Sequence, residues 1–173
     1  MISLKHSILI LAFGLIAIFI QGTLLKFMSP SMVSPNLLVI LVVYIGFVRV
    51  STQGVILAFL LGLQLDLCSA HLLGPWAGAF VVTFGIIAVI SQHVFVESPI
   101  AIAIAVALST MTSTLVYAGL VYEFKPAGAI SFWGLIGEAL VTAVVGPIVF
   151  IIVRAVLPPE DKTRGARVSA GIL

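Results

Sequence analysis

The sequence predicts an all-α fold, a polytopic membrane protein with six transmembrane helices over 1–157 and a short tail over 158–173. Three observations carry that expectation. Apolar residues make up 62% of the 173 and charged residues only 8%, whereas soluble chains carry roughly a quarter charged residues. Apolar runs recur near the length of about 20 residues that a span requires. Proline, glycine and small polar clusters separate those runs, and such clusters mark turns. No stretch is long and polar enough for a separate soluble domain. Cys68 is the single cysteine, so neither an internal disulfide framework nor a cysteine-rich metal site can form. A net charge of +2 gives no footing for nucleic-acid binding.

The first span is expected over about 8–25, with Lys5 and His6 ahead of it. It imitates a signal peptide but leaves through Gln21-Gly22-Thr23-Leu24, with no small-x-small cleavage site, and reads as an uncleaved span. Pro30 and Pro35 make the following segment a loop, because proline lacks an amide donor and pushes its predecessor out of helical geometry. Span 2 follows over about 36–48 and stops near Arg49; span 3 runs over about 54–67. The segment 68–75, ending in Gly74-Pro75, breaks the helix before span 4 at about 76–90. Gln92, His93, Glu97 and Pro99 mark the next loop, span 5 reaches Tyr122, and span 6 covers about 131–157 before Pro158-Pro159. Pro147 within span 6 predicts a kink.

Six spans place both ends on one side. With both in the cytoplasm, Lys5, Arg49, Arg154, Lys162, Arg164 and Arg167 lie inside, against Lys26 and Lys125 outside, as the positive-inside rule favours. The charged tail is expected to rest loosely at that surface, near anionic headgroups.

Asp66 is the residue that apolar composition explains least. A carboxylate within such a run is costly unless it faces other helices or a wet cavity. Twelve residue steps separate Gly54 from Asp66, about 18 Å of helix against a hydrocarbon core of about 30 Å. Spans 2 and 3 are therefore expected to be short, with the 68–75 segment dipping back into the protein. The carboxylate is expected to accept hydrogen bonds from the amides of that segment or from Ser69. Gly54, Ala58, Gly62 and Asp66 recur every four residues and form one drifting stripe. Small residues on such a stripe permit close helix approach, either within the chain or with a partner.

Glu138 is the second acidic residue within a span, just past Trp133. It is expected to snorkel outward, the alternative being that it shares the outer half of the bundle with Asp66. In span 5, alternating Ala101, Ala103, Ala105 and Ala107 precede a hydroxyl run, 109–114. Its hydroxyls can bond back to their own helix or to a neighbouring one. Enzyme signatures are absent: no Gly-x-Ser-x-Gly, no His-Glu-x-x-His and no phosphate loop occurs. Catalysis, cofactors and metals are accordingly not expected.

Pro35-Asn36-Leu37 opening an apolar run to Tyr44, then Gly54-x3-Ala58-x3-Gly62-Leu-x-Leu-Asp66-Leu-x-Ser69 and Leu73-Gly74, resemble the MreD family of rod shape-determining membrane proteins. The ending Ala139-Leu-x-Thr-Ala-x3-Pro147-x6-Arg154 is similar as well. The family usually has Pro-Asp-Leu where this chain has Pro35-Asn36-Leu37; either residue serves as a helix N-cap. The resemblance implies a non-enzymatic component of the bacterial cell-elongation machinery in the inner membrane. Its partner would be MreC, within a complex that couples MreB and RodZ to RodA and its transpeptidase. The family's fold is similar to that of the substrate-binding components of energy-coupling-factor transporters. That likeness implies the rival, a vitamin- or metabolite-binding transporter subunit. Such subunits often show Ala-x-x-x-Ala on span 1, where this chain has only Ala12 and Ala17.

Overall fold

The structure is a computed structural model, and it describes residues 4–25, 34–48, 50–69, 72–92, 98–122 and 132–157. The tail, Lys26, Arg49, His71, His93, Glu97 and Lys125 lie outside these, and with them the expectations for the tail and for most loop charges.

Among the described residues the chain forms six α-helices and no strand. Helix α1 is Leu4–Phe19 and continues as a π-helical turn, Ile20–Leu25. Helix α2 is Leu37–Val48, α3 is Thr52–Ser69, α4 is Pro75–Ile90, α5 is Pro99–Tyr122 and α6 is Phe132–Val156. Four of these, in α1, α3, α5 and α6, are long and apolar enough to cross a membrane; α2 and α4 are apolar but shorter.

The expectation that span 3 is short is corrected. Helix α3 has 18 residues, about 27 Å at the helical rise. It starts earlier because Ser51 caps it, its Oγ accepting the Gly54 N–H at 3.3 Å. It ends later because nothing between Asp66 and Ser69 breaks a helix. The short helices are α2, with 12 residues, and α4, with 16.

Helix α2 is the core. It packs against each of the other five helices, and Leu38 through Gly46 are all buried. A helix that is apolar on every side requires such an all-round environment. The remaining helices neighbour one another in the order α1, α3, α4, α5, α6 around it. Their outer faces expose rows of large apolar residues, with Phe19 at 72% and Val144 at 74% exposure. In water, patches of that size would drive association; against lipid tails they are matched. Helix α6 runs unbroken through Pro147.

At the far end of the bundle, Tyr44 is fully buried and its hydroxyl donates to the Leu157 carbonyl. Its ring meets Phe150 edge-on, with centroids 5.4 Å apart. One side chain thus satisfies the carbonyl just past the end of α6 and ties that helix to α2.

Candidate functional site

Asp66 lies one turn before the end of α3 and is 2% exposed. The chain leaves α3 at Ser69 and returns through Gly74, whose φ of 115° only glycine adopts without strain. Helix α4 then starts at the level of Asp66. The Gly74 N–H donates to Asp66 Oδ2 at 2.9 Å, the Trp76 N–H to Oδ1 at 3.1 Å, and the Ala77 N–H to Oδ2 at 3.1 Å. Pro75, between them, has no N–H to satisfy. The first intrahelical bond of α4 follows at once, from Gly78 N–H to Gly74 O at 2.8 Å. A helix start leaves its first amides without partners inside the helix, and α4 has no side-chain cap of its own. Asp66, reaching over from α3, is that cap. The positive end of the α4 dipole supplies the rest of its stabilisation, so the buried carboxylate needs no cation.

Close approach makes this possible. A Cβ added to Gly62 would come within 2.5 Å of Ala77 Cα and of the Trp76 carbonyl oxygen, so the two backbones touch where only glycine fits. Gly54, Ala58, Gly62 and Asp66 are all buried together with Leu57 and Leu61. The stripe is an internal seam between α3 and its neighbours within the chain. Of the two uses open to such a stripe, its burial matches packing within the chain. Beyond the seam, Trp76 stacks on Tyr117 of α5 with centroids 4.2 Å apart, and the Asp66 contact thereby links three helices.

A second polar cluster joins α1, α2 and α6. Asn36 caps its own helix, its Oδ1 accepting the Val39 N–H at 3.3 Å. Its backbone N–H donates to Thr142 Oγ1 at 2.9 Å and its Nδ2 donates to Glu138 Oε1 at 3.1 Å. The Thr142 hydroxyl donates back to the Glu138 carbonyl at 2.6 Å. Gln21, in the π-helical turn, donates to the carbonyl of Pro35 at 2.6 Å. Glu138 is therefore half-buried and bonded to Asn36, which corrects the outward-snorkelling expectation. Among the described residues, its hydrogen-bond partner Asn36 is none of those that bind Asp66. The sequence gives Gln21 no role, and Thr142 stands in it only as a member of the Ala139-Leu-x-Thr-Ala motif.

The hydroxyl run of α5 turns inward but bonds within its own helix. Ser109 donates to Ala105 O, Thr110 to Val106 O and Ser113 to Thr110 O, at 2.7–3.0 Å. These three bonds are intrahelical, the first of the two arrangements open to such hydroxyls. The four alanines do not form one face: they flank the buried Ile102 and Val106 on both sides.

Residues 1–156 match the family described as rod shape-determining protein MreD. The chain belongs to that family. No curated protein and no solved structure matches it, so the likeness to energy-coupling-factor transporter components gains no support. The match spans every described helix, and both polar clusters lie within it. Membership brings a role in bacterial rod-shape determination, with helices able to cross a membrane to match.

Proposed function

We propose that this protein is a non-catalytic membrane scaffold of the cell-elongation machinery. It binds MreC and helps to couple the MreB cytoskeleton, with RodZ, to peptidoglycan synthesis by RodA and its transpeptidase. The observation that carries this reading is the family match over 1–156. The polar groups support it. Both oxygens of the Asp66 carboxylate are engaged by backbone amides, and Glu138 is tied to the cap of α2. Acid–base chemistry would need such groups free to exchange protons with a substrate; here they hold helices in register.

The protein sits in the bacterial inner membrane with both termini in the cytoplasm, as the excess of Lys and Arg on that side favours. Because the small-residue stripe of α3 is spent inside the chain, association with the single span of MreC uses outward faces. Co-purification from native membranes tests this. Recovery of an MreC-like protein is expected. Recovery of an ATPase pair with a transmembrane coupling subunit, and no MreC-like protein, would establish the transporter alternative instead.

A further inference from the structure

A cavity of about 250 Å³ lies between α4 and α5, in the half of the bundle where α4 ends and α5 begins. It arises because α2 stops at Val48 and leaves Phe47 among its lining residues, while α5 sets the small Ala101 and Ala105 beside Ile104, Leu108, Ser109 and Thr112. Protein interiors hold few voids larger than a water molecule, and an empty wall forfeits its dispersion contacts. Something therefore fills it.

Water is a poor candidate. Of the three hydroxyl residues in the lining, Thr83 and Ser109 already donate to their own helices, to Ala79 O at 2.8 Å and Ala105 O at 2.7 Å, which leaves the Thr112 hydroxyl as the one further donor. A buried water needs 2–4 polar partners, and apolar cavities of roughly 150 Å³ stay dry and take up small hydrocarbons. The mouth opens between Ile86 and Ile90 of α4 and Ile104 and Leu108 of α5, all exposed on the outer surface of the bundle. In a membrane that surface meets acyl chains. A whole helix, about 10 Å across, is too wide for a recess of this volume, whereas one hydrocarbon chain is not.

We propose that this cavity is a binding site for one acyl chain of a membrane phospholipid, inserted sideways between α4 and α5. The site goes beyond the scaffold role and stands or falls independently of it. The full chain, reconstituted in vesicles containing phosphatidylethanolamine with a diazirine midway along one acyl chain, provides the test. Irradiation and peptide mapping should label 83–90 and 101–112 severalfold more than the more exposed face of α6 around Val144 and Ile148. Ala105→Leu, or separately Ala101→Leu, fills the space and should remove that excess, while Val144→Leu leaves it intact. Labelling spread evenly over the outer surface would overturn the proposal, whether or not either variant folds. So would an excess that persists in both filled variants. A photoreactive benzoylphenylalanine at Ile104 should yield lipid adducts; a discrete protein adduct would show that a partner's side chain fills the cavity, and would overturn it too.

Discussion

The two short helices of the bundle both begin in buried polar surroundings, and they solve the same problem differently. Helix α4 receives its cap from another helix, as a carboxylate on three amides. Helix α2 caps itself with neutral Asn36, which then relays to Thr142 and Glu138 of α6. At α4 the donors belong to the backbone. Any non-proline residue at 76 or 77 would supply them, but a displacement of the backbone would not be forgiven. At α2 the network depends on the identity of three side chains. A charge held by amides thus makes geometry the sensitive quantity; a relay of side chains makes sequence the sensitive quantity.

The largest effect is expected at the α4 cap. Asp66→Leu removes the acceptor for three amides, at about 1–3 kcal/mol for each one left unpaired. Asp66→Asn keeps one carbonyl oxygen and should lose far less. Thermal stability of the detergent-purified protein, its level in membranes and recovery of MreC report the difference. Wild-type values for Asp66→Leu in all three would remove the carboxylate from the account of α4.

Gly62→Ala sharpens the geometric side of the comparison. A methyl group there meets backbone rather than a movable side chain, and overpacking of this kind costs about 1–3 kcal/mol. Because the shift it forces separates Asp66 from its amides, Gly62→Ala combined with Asp66→Leu should cost less than the sum of the two. Full additivity in a double-mutant cycle would show the seam and the cap to be independent.

For the α2 cluster, the natural exchange is Asn36→Asp. It keeps the cap on Val39 but replaces the donor to Glu138 with a second acceptor. Two carboxyls then share one site and cannot both ionise freely. Asn36→Asp should lower the melting temperature, and Glu138→Gln should restore much of it by offering a donor. A coupling energy on the order of 0.5–3 kcal/mol is expected for such contacting residues; zero coupling would mean that the contact carries no energy. The smallest change is Thr142→Val, which keeps the shape but leaves the Asn36 N–H without its acceptor. About 1 kcal/mol is lost, with MreC recovery unchanged.

The sequence by itself determined the class, the number of helices and most of their limits. Long apolar runs are local signals, and so are the prolines at 35, 75, 99 and 158 that bound them. Local cost also singled out Asp66, because a carboxylate in hydrocarbon must be satisfied by something. The amides of 68–75 were legible as its donors, and Gly74 is one of them; tertiary structure decided that Trp76 and Ala77 complete the set and which faces turn inward. The Asn36 contacts reach across more than a hundred residues, a separation at which no spacing rule operates. Nor could apolarity choose between seam and surface. Where lipid replaces water, buried Leu61 and exposed Val144 are equally at home, so the pattern of hydrophobic residues does not mark the inside. That choice rests on backbone fit, of which Gly62 against Ala77 is the clearest case, and on where the few polar groups find their partners.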